Sequence, residues 1–263
     1  MTEWVAFSVD LEPNKDDTLD GVAEAMDWFD DVVPRGTVYA THRIATELPE
    51  VVADLAADHE IGVHVHPREF GHEHDQLAEL DADRQRELIR RTRSTLAEVA
   101  SVDKREVTAF RAGRHSASET TFEVLQELGF EVDASINVRY TNYLPESLTA
   151  RQNPFTLDSG LFELPTTYAR PPLLSLVGLR LFPNRELTAT ANALRSDRRG
   201  CSGLRALSWL RAESNGFSMY MHPYDATTHH ADLENAGSEF RNRVERLLDP
   251  VAPAAFVTAS ELC

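Results

Sequence analysis

Within residues 59–75, HEIGVHVHPREFGHEHD, stand five of the ten histidines of the chain. Two of them, His64 and His66, close a short apolar run just before Pro67. Side chains at positions i and i+2 of a strand share one face, so this pair can point to one side together. The same spacing joins Asp10 and Glu12, at the end of the run WVAFSVD (4–10). Neutral imidazoles and carboxylates are suitable ligands for zinc or another divalent metal. An ion so held polarises carbonyl groups and makes water more acidic. Arg111 closes EVTAFR (106–111), Asp133 lies in EVDASI (131–136), and His222 ends SMYMH before a proline.

Each of these residues also has a plainer role. An aspartate closing a strand often forms a turn, a lone arginine more often makes a structural salt bridge, and His222 could be a hydrogen-bonded core residue. His72 and His74 in GHEHDQ, and His229 and His230 in ATTHHAD, read as loop surface. Asp225, in HPYDA, either supports His222 or makes a turn.

The elements that must position these groups alternate. Strands are expected at 4–10, 36–41, 60–66, 106–111, 131–136, within 161–168, at 216–223 and at 254–259. Helices are expected at 19–33, 45–59, 81–100, 117–130 with Gly129 as a stop, 203–214 and 237–249. Strand–helix alternation with short connections predicts an α/β fold with a mostly parallel sheet. Seven or eight strands favour a closed or partly closed (β/α) barrel, in which the C-terminal strand ends converge on one face. All the candidate residues except Asp133 fall at such ends. Residues 137–200, rich in proline and turn residues, are expected to form part of the substrate wall.

A length of 263 residues suits one large α/β barrel or two small domains, and 1–263 is read as a single catalytic domain. The chain carries 43 Asp plus Glu against 26 Lys plus Arg, a net charge of −17, and only two lysines, Lys15 and Lys104. Such a surface suits high intracellular salt, where counterions screen self-repulsion, or is simply the acidic composition of a GC-rich genome. In either case it repels nucleic acid and anionic membranes. Two cysteines, Cys201 and Cys263, make no disulfide framework or zinc-finger spacing. No apolar run reaches the ~20 residues of a membrane span, and no secretory signal is visible, so a cytoplasmic location is expected.

In this order the motifs resemble the polysaccharide deacetylase family, also called the NodB-homology or carbohydrate esterase family. FSVDLEP (7–13) is similar to its acidic first motif, HEIGVHVHP (59–67) to its metal-histidine motif and FRAGR (110–114) to its arginine motif. LGFEVDASI (128–136) is similar to its turn into an acid-bearing strand, and MYMHP (219–223) to its last motif. The resemblance runs from about residue 4 to residue 258 and implies a distorted (β/α) barrel of about seven strands.

The chemistry it implies is hydrolysis of an N-acetyl group on a sugar. Glu12, His64 and His66 would hold a divalent metal, with zinc favoured. Asp10 would be the general base, Arg111 would orient it, and His222 would be the general acid. The partner implied is a small carbohydrate-type substrate. Three positions depart from the family pattern. Leu11 follows Asp10, so that the second carboxylate is Glu12. Arg68 stands four residues after His64, where the family's second histidine usually lies. Gly113 stands where the arginine motif usually has proline.

Two other functions compete. A glycoside-processing enzyme could use Asp10 and Glu12 as its carboxyl pair, but it leaves His64, His66 and His222 without roles. A metal-free carbohydrate-binding relative would account for the altered histidine spacing, since function follows the site and not the fold.

Overall fold

The computed structural model describes residues 2–149, 151, 153–170, 186–198, 201–227 and 233–263. Its frame is an eight-stranded sheet. In chain order the strands are β1 (Trp4–Leu11), β2 (Thr37–Ala40), β3 (Glu60–Val65), β4 (Ala109–Ala112), β5 (Val132–Asp133), β6 (Phe155–Thr156) and β7 (Phe162–Glu163). Two separate short pairs follow, β8 (Tyr168–Ala169) with β9 (Leu187–Thr188) and β10 (Asp197–Arg198) with β11 (Cys201–Ser202). The last strand, β12 (Gly216–Met221), returns to the main sheet, whose order is β12-β1-β2-β3-β4-β5-β7-β6. All neighbours in that sheet are parallel except β6, which runs antiparallel to β7 at the edge. The sheet curls into a half-barrel.

Helices cover the outer face: α1 (Val22–Val32), α2 (His42–Glu47), α3 (Pro49–Leu55), α4 (Ala82–Val99), α5 (Glu119–Glu127), α6 (Ala191–Arg195), α7 (Gly203–Glu213), α8 (Pro223–Ala226) and α9 (Ser238–Leu248). Their starts are written locally. Asp81 accepts from the Arg84 N–H at 2.9 Å and caps α4, while Ser118 and Thr121 form a capping box on α5.

Alternation along the strands separates two environments. Val5, Phe7, Val9 and Leu11 of β1 join the large apolar core with Phe29, Leu88, Ile89 and Phe240 from the helices. Ala6 packs on the other side of the sheet with Tyr39, Ala109 and Leu164, and Ser8 and Asp10 share its face by the two-residue period. Each fully buried Leu, Ile or Phe in the helix layer contributes about 1.5–3 kcal/mol, which holds the strand ends in place. Gly62 is needed on β3 because a Cβ there would stand 2.7 Å from the Tyr39 ring.

Two expected elements differ. The helix at 45–59 is two helices that begin earlier, at His42 behind a Thr41 cap, and break at Leu48. Pro49 has no N–H to give, and it drives Leu48 out of helical geometry (φ −133°, ψ 54°). The strand at 254–259 is a 3₁₀ turn, Pro253–Ala255, with a single bridge from Phe256 to Val5. The Ala259 N–H bonds Thr37 Oγ1 and Glu60 Oε2 at 2.9 Å in place of a strand ladder.

Asp133 is fully buried and is the register neighbour of Glu163, also fully buried. Burial pushes the Asp133 carboxyl up to about 6 against its bonds from Ser135, and burial together with Asp133 raises Glu163 well above the ordinary range. Both folded values lie above the unfolded ones. Their contribution is therefore complete below the unfolded carboxyl pKa and is lost as pH rises through the folded values. Glu163→Gln should raise the Tm at pH 8, by roughly 2–4 °C per kcal/mol recovered, with the gain shrinking toward pH 4. An unchanged Tm difference across that range in thermal melts would contradict the raised carboxyl pair.

Candidate active site and metal centre

Four strand ends meet at the mouth of the half-barrel. Asp10 and Glu12 come from β1, His64 and His66 from β3, Arg111 from β4 and His222 from β12. They line a hollow of about 920 Å³ together with Lys15, Arg43, Arg68, Arg114 and Tyr140, Arg111 lying beneath it. Of the candidate residues, only Asp133, paired with Glu163 in the sheet, lies away from this place.

Arg111 is the largest fully buried side chain. Its guanidinium forms an ion pair with Asp10 Oδ1, gives its Nε–H to the Ala134 carbonyl at 3.1 Å, and lies 4.2 Å from the centre of the Tyr39 ring. Burial alone would raise the Asp10 pKa, but Arg111, His64 and His222 outweigh it and hold the carboxyl below its usual value. Asp10 is therefore a charged, oriented carboxylate at neutral pH. Its Oδ2 lies 3.9 Å from His222 Nε2.

The imidazoles are set by what their far sides touch. His64 Nδ1 lies 2.8 Å from the Arg111 carbonyl. A carbonyl only accepts, so Nδ1 carries the hydrogen and Nε2 keeps its lone pair in the neutral ring. His66 Nδ1 lies 2.9 Å from Asp75 Oδ2, an arrangement that fixes the ring and makes Nε2 more basic. The two Nε2 atoms stand 3.2 Å apart, and Glu12 Oε2 lies 2.7 Å from His66 Nε2 and 3.5 Å from His64 Nε2.

Ligands on a tetrahedral zinc, each ~2.0–2.1 Å from the ion, stand about 3.3 Å from one another. The N₂O donor set therefore fits a zinc-like ion with one closer pair, and it is the sole such cluster among the described residues. Burial disfavours charge on His66, yet Glu12 and Asp75 outweigh it and push this ring up to about 10. Burial also opposes charge on Glu12, and His66 and His64 hold its carboxyl well below the usual range. A metal ion here competes with a proton on His66.

The departures from the family pattern fit together. A Cβ at Gly113 would lie 2.8 Å from both Cε1 and Nε2 of His66. A side chain there would also stand 2.6 Å from the Val65 carbonyl oxygen, so the backbone together with the His66 ring leaves room at 113 for glycine alone. Arg68 lies exposed on the turn Pro67–Phe70, with its Nε–H toward the Glu73 carbonyl at 3.4 Å. It lines the hollow and takes no part in the three-residue cluster.

His222 is flanked on both faces of its role. Asp225 Oδ2 accepts from the His222 backbone N–H at 2.9 Å and faces its Nδ1 at 3.3 Å. Asp225 thus both forms the turn and supports the ring. Asp225 Oδ1 pairs with buried Arg195 at 2.8 Å. Burial works against the imidazolium, but Asp225, Glu12 and Asp10 outweigh it and raise the His222 pKa. The Tyr224 ring stacks on His222 at 4.6 Å and 12°.

The sequence did not single out Asp75, His115, Tyr140 or Arg195. Burial drives His115 down to about 3, so it is neutral; its Nδ1–H bonds the Ser135 carbonyl at 3.0 Å, and Tyr140, 49% exposed, stacks on it. Arg114 and His115 both adopt left-handed backbone (φ 54° and 53°), a strained choice for residues with side chains. The Arg114 Nε–H bonds Asp75 Oδ2 at 2.7 Å. Only the nearness of Asp75 to the histidine-rich stretch hinted at any of these contacts. His72 and His74 lie outside the cluster, and His229 and His230 lie outside the described residues.

Four outcomes are expected. His64→Ala/His66→Ala should carry no zinc by elemental analysis when the parent carries one ion per chain; equal content in both would remove these residues from the site. Asp75→Asn should weaken zinc binding by about 10–100-fold, and Gly113→Ala should also weaken it while Asp10 and Arg111 remain paired. Zinc affinity should rise about tenfold per pH unit below the His66 value, because uptake releases its proton; a flat calorimetric profile would contradict the His66 assignment.

The family model of the polysaccharide deacetylases matches residues 7–132, which include Asp10, Glu12, His64, His66 and Arg111. Among curated proteins none matches. Among solved structures, the chain is similar to a protein of Mycobacterium smegmatis assigned as a polysaccharide deacetylase: 19% identity, 93% of this chain and 76% of that one, TM-score 0.58. It is also similar to a peptidoglycan N-acetylglucosamine deacetylase, at 14% identity over 99% of this chain and 87% of that one, TM-score 0.55. A third structure is a CE4 family pseudoenzyme from Bacillus anthracis, at 12% identity over 99% of this chain and 65% of that one, TM-score 0.54. At these identities the likeness is one of fold. Residues 7–132, just under half of the chain, thus match the polysaccharide deacetylase family model, and the fold shared with these structures extends over most of the rest of the chain.

Proposed function

We propose that this chain is a metal-dependent hydrolase that removes an acyl group, acetyl first, from the nitrogen of an amino sugar, with residues 1–263 acting as one catalytic unit. The observation that carries the reading is the convergence of three prepared groups. The Glu12–His64–His66 donors stand beside a charged Asp10 held by Arg111, and beside a His222 whose imidazolium form Asp225 favours.

A divalent ion held by Glu12, His64 and His66, with zinc fitting the donor set, would supply Lewis acidity to the acyl carbonyl and to water. Asp10 takes the proton of the attacking water at Oδ2, while Arg111 keeps Oδ1 and so aims the free lone pair. The C–O bond to the acyl carbon forms as the carbonyl bond opens. His222 then gives its Nε2 proton to the departing nitrogen, and the C–N bond breaks to leave a carboxylate and an amine. Asp225 stabilises the imidazolium before that step and holds its Nδ1–H throughout. Tyr140, exposed at the mouth against His115, offers a flat apolar face of the kind that sugar rings cover. Retention of Asp10, Arg111 and His222 in working contact favours catalysis over binding alone.

Asp10→Asn and His222→Ala should each lower kcat on an N-acetyl amino sugar by about 10²–10⁴-fold, with zinc content and Tm retained. Full activity in either variant would sink the assignment. Because the Asp10 pKa is lowered and that of His222 raised, the acid limb of kcat/KM should lie below the usual carboxylate range and the alkaline limb above the usual imidazole range, where His222 loses its proton. Asp225→Asn should move that alkaline limb to lower pH; an unmoved limb would exclude His222 as the acid.

A further inference from the structure

Beside His222 the main cleft continues into a second hollow of about 250 Å³. The two share Lys15, Tyr140, Tyr220, His222 and Tyr224, so they form one surface. The charge in the second hollow runs against that of the chain. Three cations, Lys15, Arg139 and Arg195, line it with a single carboxylate, Asp225. That carboxylate is already neutralised, by Arg195 at 2.8 Å and by His222.

Lys15 and Arg139 have no carboxylate partner among the described residues. The Lys15 ammonium sits 4.9 Å from the centre of the Tyr224 ring, and Arg139 gives one hydrogen bond, at 3.5 Å, to the Glu186 carbonyl. The chain carries 43 acidic against 26 basic residues, so carboxylates are in excess over the cations they could pair. Two without them at one hollow mark a place where an anion would replace water. The hollow lies on the side of the proton donor, so its occupant belongs to the part of the substrate that stays on nitrogen.

We infer that this hollow is a phosphate subsite, and that the substrate is an N-acylated amino sugar bearing a phosphate ester. The inference rests on the proposed deacylation for its placement. A phosphate carries about −1.5 to −2 charges at neutral pH, which two uncommitted cations match. Arginine binds phosphate through paired N–H groups and lysine as a point charge.

The test uses reaction products, which the enzyme cannot turn over. Calorimetry of the zinc-loaded full chain compares glucosamine 1-phosphate with glucosamine. The phosphate ester should bind about tenfold or more tightly, and the preference should weaken as salt is added. In Lys15→Ala/Arg139→Ala the preference should fall to near unity. Equal binding of the two sugars by the parent chain overturns the inference. So does a preference that persists in the double variant, which would mean the phosphate sits on the metal. Turnover of N-acetylglucosamine and of its 1-phosphate separates this inference from the reading beneath it. Both substrates turned over with equal kcat/KM would remove the phosphate subsite and leave the hydrolase. Tight, variant-sensitive binding of the phosphate with neither substrate hydrolysed would remove the deacylase and leave the subsite.

Discussion

One buried cation organises the site. The Arg111 guanidinium sits inside the curled sheet, where an unpaired charge would cost several kcal/mol. It is compensated from several strands at once, by the Asp10 carboxylate on β1, the Ala134 carbonyl past β5 and the faces of Tyr39 on β2 and Tyr220 on β12. Removing one partner of such a pair typically costs about 3–5 kcal/mol, so the strands are tied into one spacing. The backbone of the same residue does a second job. The Arg111 carbonyl takes the Nδ1 hydrogen of His64 and leaves Nε2 free to face Glu12 and His66. The orientation of the carboxylate and the tautomer of one candidate ligand thus depend on a single position of β4.

The position of His66 rests on several residues at once. His66 approaches the space that a side chain at 113 would fill. Its ring is anchored by Asp75, nine residues onward, which Arg114 in turn holds. Arg114 reaches Asp75 from a left-handed backbone that its sequence neighbour His115 shares. His115 carries the Tyr140 platform. The candidate ligand His66 thus draws its contacts from the turn after β4 and from the loop after β3, and His222 draws its own from Asp225, which Arg195 holds in turn.

The sequence by itself determined which strand ends carry chemistry. Alternation of two residues places Asp10 with Glu12 and His64 with His66 on one face, and strand–helix alternation predicts a parallel, curled sheet whose C-terminal ends converge. These are local or periodic properties. The break at Leu48–Pro49 was equally local, since proline lacks an N–H and constrains the residue before it, but the apolar spacing around Leu48, Val51 and Leu55 outweighed it in the reading of one helix.

Only the tertiary structure decided the partners. Nothing in residue order links Arg195 to Asp225 or Gly113 to the His66 ring, because each pair meets through loops that leave different strands, and the nine-residue step from His66 to Asp75 gives nearness without a partner. The final segment, 254–259, has the composition of a strand, but Pro253 and the Ala259 bonds to Thr37 and Glu60 take up its backbone groups before a ladder forms. Residue types and periods could name candidate ligands and a candidate acid–base pair. Which nitrogen keeps its lone pair, and which carboxyl keeps its charge, follows from contacts at 3 Å or so and from exclusion of water, and both exist only once the sheet has curled.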